Sequence, residues 1–127
     1  MKLYHITFTE RIASIAKHGL LPFQTSNWVT TAGQRYSNGE IYACTNRHDA
    51  IKWAAKMDWD FNNKIGSGKI TIIEFNSTDK WELDEADPIS QIGNRGKWVK
   101  RFGQVPAKNI TGHKVLTAKM LQILNKA

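Results

Sequence analysis

An α+β fold is what this sequence predicts, on three observations. Its β-prone runs outnumber its helical ones, the helical stretches lie early in the chain and at its very end, and strands do not alternate strictly with helices as a doubly wound sheet requires.

Leu3-Tyr4-His5-Ile6-Thr7 is a short apolar run with an imidazole at its centre, which reads as a buried strand. A threonine able to cap a helix follows it. Ile12, Ile15 and Ala16 then fall at the three-and-four spacing of one apolar stripe, and Gly19 supplies a stop. A histidine is thereby delivered to the end of a strand beside a helix start. From Phe23 to Gly39 the chain turns polar, with Trp28-Val29 its only strand-like element and Arg35 in a turn-rich loop.

Glu40-Ile41-Tyr42-Ala43-Cys44-Thr45 is a second β-prone run, after which Asn46 caps a predicted helix over Arg47 to Met57. Ala50, Ala54 and Met57 line one face of that helix with Ile51 and Ala55 beside them, so it should pack closely on a sheet, with His48 exposed in its first turn. Asp58 to Gly68 reads as a loop or frayed helix end. Lys69 to Phe75 is β-branched and long enough to be a central strand, and Trp81-Glu82-Leu83-Asp84 reads as a short one.

The glycine-punctuated turn Ile92 to Gly96 enters a strand from Lys97 to Phe102, and His113 to Leu116 is a further strand. Met120, Leu121 and Leu124 at helical spacing predict a terminal helix from Thr117 to Lys126. The tryptophans Trp28, Trp53, Trp59, Trp81 and Trp98 read as core or half-buried residues. Trp98, between Lys97 and Lys100-Arg101, leaves open a second role, stacking a base beside a phosphate-binding cluster.

With 127 residues the chain has the size of one domain, residues 1–127, large enough for a core without staples. A lone Cys44 and the lack of zinc-type ligand spacing predict no disulfide, no metal, and a reducing, cytoplasmic setting. No signal peptide and no run of roughly 18 apolar residues is present, so no membrane partner is expected. The net charge of +7 favours an anionic partner, a nucleic acid or a phosphate-bearing ligand, or else a solvated basic face.

These elements, in this order, resemble the ADP-ribosyltransferase fold, the group of the poly(ADP-ribose) polymerases, the DarT-type toxins and the RNA 2′-phosphotransferases. Leu3 to Thr7 with Ile12, Ile15 and Gly19-Leu20 is similar to its opening strand and helix. Glu40 to Thr45 with Asp49-Ala50 is similar to its second block. Trp98 through Val105-Pro106-Ala107-Lys108-Asn109-Ile110 is similar to its close.

The resemblance implies a split β-sandwich with a central cleft and few helices, in which two small, roughly orthogonal sheets enclose the site. It implies NAD as substrate. His5 would bind the ribose, Ile6 and Thr7 the nicotinamide amide through their backbone, Tyr42 would stack on the nicotinamide ring, and Arg35 would hold the pyrophosphate; His5 and Tyr42 are the catalytic pair.

Arg95, Lys97 and Trp98 are expected on the acceptor or phosphate side. Lys97 stands about where the family carries its catalytic acid, with Glu40, Glu74, Asp84 and Asp87 as the candidate carboxylates to stand in for it. The implied partners are NAD or a related nucleotide and a nucleic-acid or protein acceptor. Asn94-Arg95-Gly96-Lys97 also resembles the 2′-phosphotransferases, whose chemistry would use Arg35, Arg95 and Lys97 on an RNA phosphate. A third alternative is a non-catalytic, inhibitor-type member that holds a nucleotide, a nucleic acid or a protein in the same cleft.

Overall fold

The computed structural model of the chain describes residues 1–21, 40–83 and 95–125. Among them six strands form one antiparallel sheet: β1 (Lys2–Phe8), β2 (Glu40–Cys44), β3 (Ile70–Asn76), β4 (Glu82–Leu83), β5 (Trp98–Phe102) and β6 (Ile110–Val115), in the order β4-β5-β2-β1-β3-β6. Helices α1 (Ile12–His18), α2 (Arg47–Asn62) and α3 (Ala118–Asn125) complete an α+β architecture. The predicted strand at Trp28-Val29 lies outside the described residues.

Strand alternation sorts the sheet into two faces. Tyr4, Ile6, Phe8, Cys44, Ile70, Ile72 and Trp98 pack with the α2 residues Ala50, Ile51, Ala54, Ala55 and Met57, and Met120 and Leu121 of α3 join them. Leu3, Ile41, Ala43, Ile73, Phe75 and Val99 form the other core with Ile15 of α1, Leu20 and Val105. The predicted apolar stripe of α2 is therefore the stripe that is buried.

The sheet is not uniform across its width. β1 pairs with β3 through seven residue pairs and β2 with β5 through five. Between β1 and β2 only Tyr4↔Cys44 is in register. Two three-stranded halves, β4-β5-β2 and β1-β3-β6, thus meet at a narrow seam.

Local chemistry explains most element ends. Asn46 caps α2 as predicted, its Oδ1 accepting the Asp49 N–H at 3.2 Å. Gly19 ends α1 with φ 76°, and its missing side chain is needed there, because a Cβ would run into the Val105 carbonyl. That approach lets Leu20 and Val105 exchange two 2.9 Å main-chain hydrogen bonds.

Three expectations are corrected. No threonine side chain caps the first helix; a 3-10 turn, Thr9–Arg11, precedes it, and the Thr9 hydroxyl instead meets that of Thr71 at 2.8 Å. Helix α2 runs five residues beyond Met57, to Asn62. The reason is Asp58, fully buried, which accepts from Asn62 Nδ2, the Ser67 hydroxyl, and the Gly66 and Ser67 N–H groups. The Asp58 carboxylate ties the helix end to the loop before β3. Finally, Trp59 is 56% exposed, not packed.

Candidate functional site

The site is built at the seam. Tyr4↔Cys44 fixes an antiparallel register that, if continued, would set Ile6 opposite Tyr42. That rung is absent, and the carbonyl of Tyr42 is met by the His5 ring, with Nδ1 at 2.6 Å from the oxygen. A buried carbonyl needs a donor, and a side chain supplies it here where a neighbouring strand would otherwise do so.

The bond also assigns the tautomer. A carbonyl carries no hydrogen, so Nδ1 is the donor. Burial holds the His5 imidazole below its ordinary pKa, the hydrogen bond to Tyr42 acts in the opposite direction, and the charge of Arg11 adds to the lowering. The ring is therefore neutral near pH 7 with Nε2 as an acceptor. It can receive a hydrogen bond from a hydroxyl.

Around it the sheet is more polar than a core requires. His5 shares a face with Leu3 and Thr7, since the three alternate along β1. Thr7, opposite Thr71, is 3% exposed, and Thr71 is fully buried. Ile6 points the other way, into the α2 side, so any part it takes in binding belongs to its main chain.

Tyr42 is half-buried and alternates with Cys44, so its side chain leaves β2 on the α2 side. The structure therefore joins the His5 ring to the Tyr42 main chain rather than ring to ring. Arg35 lies outside the described residues.

Arg95 and Lys97 are exposed just ahead of β5. Trp98, for which packing and base stacking were both open, packs: it is 8% exposed, with its ring 5.5 Å from that of Trp53. Of the carboxylates considered for the missing acid, Glu74 sits opposite Tyr4, binds Lys2 at 3.3 Å and accepts from the Thr111 hydroxyl at 3.1 Å. It is on the far side of the sheet from His5, so it does not stand in for the acid. Asp84 and Asp87 lie outside the described residues, and Glu40 is described only as the first residue of β2, paired with Phe102.

Sequence reasoning missed two features. His48, expected exposed, has both ring nitrogens out of solvent and without a hydrogen-bond partner among the described residues. Asp49, 2% exposed, accepts the main-chain N–H groups of Arg95 and Gly96 at 3.0 and 2.7 Å. The Asn46-x-x-Asp49 spacing is a capping pattern, and it hid the second use of this carboxylate.

Cys44 is fully buried, and its thiol donates to the Asn46 carbonyl at 3.2 Å. Burial pushes its pKa up to about 12, against the small lowering effect of that bond, and Asp49 adds to the rise. Such a thiol is no nucleophile. Among the described residues no group of three or more His, Cys, Asp or Glu side chains gathers as metal ligands, and no helix is long and apolar enough to cross a membrane. No family model matches the chain, and neither does a curated protein or a solved structure.

Proposed function

We propose that the chain is an ADP-ribosyltransferase-like protein, a split β-sandwich that binds NAD in the cleft of its seam and modifies a nucleic-acid or protein acceptor. The observation that carries this reading is the His5 imidazole spanning the two half-sheets, neutral, with its Nε2 available as an acceptor. The single register pair between β1 and β2 supports the split architecture.

In this reading a ribose hydroxyl of NAD donates to His5 Nε2, and main-chain groups of Ile6 and Thr7 take the carboxamide. Tyr42 takes part through its main chain, whose carbonyl orients the His5 ring, because its phenol leaves the opposite face of the sheet and is not aimed at a nicotinamide held beside His5. Fixed dipoles at a partly dry seam favour the oxocarbenium-like transition state more than the ground state. The bond from ribose C1′ to the nicotinamide nitrogen breaks with its electron pair leaving on nicotinamide. A lone pair of the acceptor forms the new bond to C1′, and the acceptor's proton passes to solvent.

The test is incubation with NAD and quantification of free nicotinamide, with His5→Asn beside the wild type. Release by the wild type and its loss in the variant is the expected result; no release above a protein-free control would overturn the transferase reading.

One observation favours a second reading. Lys97 occupies the place where the resemblance expects a carboxylate, and it is exposed beside Arg95. Two cations suit a phosphate better than an oxocarbenium, which fits a nucleotide or nucleic-acid binder without turnover, or 2′-phosphate chemistry on RNA. A 2′-phosphorylated RNA incubated with NAD separates these: loss of the 2′-phosphate selects the phosphotransferase, and binding without product selects the binder.

A further inference from the structure

We infer that Asp49 and Thr45 are positioning residues that hold Arg95 and Lys97 as a preformed clamp for a phosphate group. Three consecutive N–H groups, those of Arg95, Gly96 and Lys97, are taken by two side chains at the β2–α2 junction. Asp49 receives the first two at 3.0 and 2.7 Å, and the Thr45 hydroxyl receives the third at 2.9 Å. The Thr45 N–H returns a 3.0 Å bond to the Lys97 carbonyl. A Cβ on Gly96 would stand 2.5 Å from the Thr45 hydroxyl and 2.7 Å from Asn46 Cβ, so glycine lets the turn seat this closely.

The use of Asp49 is what points to a ligand. Burying a carboxylate is costly unless it is fully hydrogen-bonded, and this one is spent on main chain instead of on a neighbouring cation. Among the described residues neither Arg95 nor Lys97 pairs with a carboxylate, although both are exposed. The result is two uncompensated cations, one residue apart, on a turn that has already lost its conformational freedom. Preorganisation of this kind lowers the entropy cost of binding. A guanidinium fork beside an ammonium suits a phosphate, which the fork grips in two places and the ammonium as a point charge.

The inference rests on the reading above only for the source of that phosphate, which is either the backbone of a nucleic acid or the pyrophosphate of NAD. Two probes distinguish the sources: a labelled single strand of RNA of about 12 nucleotides, and NAD without nucleic acid. Both are titrated against the full chain over a range of salt, as wild type, Arg95→Ala, Lys97→Ala, Asp49→Asn, Thr45→Val and Thr45→Ser.

Lys97→Ala should weaken at least one probe about fivefold or more, and on RNA reduce the slope of log affinity against log salt by about 0.7. Thr45→Val, which keeps both cations, should weaken the same probe about threefold or more, and Thr45→Ser should restore it. A loss confined to RNA assigns the nucleic-acid backbone, and a loss confined to NAD assigns the pyrophosphate. Thr45→Val protein that is fully folded by circular dichroism and binds both probes like wild type would overturn the positioning role, even where Asp49→Asn fails to fold. Unchanged binding by both alanine variants would overturn the clamp itself. Nicotinamide release by the wild type reports separately on the transferase reading.

Discussion

His5 Nδ1 lies 2.6 Å from the carbonyl oxygen of Tyr42, a residue 37 positions further along the chain, and this bond spans the place where the sheet narrows to one register pair. It gives one ring two tasks on two different atoms. Nδ1 ties the half-sheets together, and Nε2 is the acceptor to which the proposed function assigns a ribose hydroxyl.

The tasks should separate by substitution. The side-chain amide of Asn can reach where Nδ1 sits but offers nothing at Nε2, so His5→Asn should melt within a few degrees of wild type while NAD binding falls. His5→Ala removes the bond that the imidazole gives the Tyr42 carbonyl, which costs about 1–3 kcal/mol. At roughly 3 °C per kcal/mol for a domain of this size, its melting point should drop by several degrees. Thermal melts with calorimetric titration of NAD check both; equal melting points for the two variants would show that the Nδ1 bond contributes nothing.

Stability should also depend on pH through His5. Its folded pKa is lowered from 6.5, so below that value the unfolded chain binds the extra proton more readily than the folded one. The contribution is complete above pH about 6.5 and is lost progressively as pH falls toward the folded pKa. Urea midpoints measured from pH 8 down to pH 5 should decline in wild type, and more shallowly in His5→Asn.

Asp58 controls a separate, more acidic limb. Burial alone would raise its pKa, but hydrogen bonds from the Ser67 hydroxyl and N–H, Asn62 and the Gly66 N–H together hold it below 3.8. Its stabilisation is complete above pH about 3.8 and disappears as pH falls through the lowered value. Asp58→Asn replaces a charged acceptor of four hydrogen bonds with an amide that matches fewer of them, and should cost about 2–4 kcal/mol at neutral pH. Chemical denaturation reads this directly, and faster amide exchange should appear at residues 63–68.

Gly96→Ala tests the close seating of the turn before β5. The added methyl meets the Thr45 hydroxyl and Asn46 Cβ well inside contact distance, so the turn must withdraw from Asp49. We expect a loss of about 1–3 kcal/mol, the range for overpacking. Amide exchange should rise at residues 95–97; unchanged protection there would count against the described contacts.

Cys44 should resist alkylation in the native state. With its pKa near 12, only about one thiol in ten thousand is ionised at pH 8, and the sulfur is fully buried. Mass spectrometry after iodoacetamide treatment should show modification only when denaturant is present.

Much of the element plan was legible in the residues because it is set by neighbours along the chain. The Asn46 cap, the Gly19 stop, the apolar stripe of Ala50, Ala54 and Met57, and the β-branched run through Ile70 to Phe75 depend on contacts within a turn or on alternation. His5 and Tyr42 could be singled out in the same way, as an unusual side chain in each of two apolar runs. Where the tyrosine ring goes relative to the imidazole could not, since that depends on which strand pairs with which, and in what register.

The seam, the use of the Tyr42 carbonyl by His5, and the use of Asp49 by Arg95 and Gly96 were decided by the tertiary structure alone. Each joins partners some forty positions apart. No local preference encodes such a bond, because closing the intervening chain costs entropy that the bond alone cannot offset. Only after the two cores had packed around the sheet were the groups close enough, and dry enough, for those hydrogen bonds to become favourable.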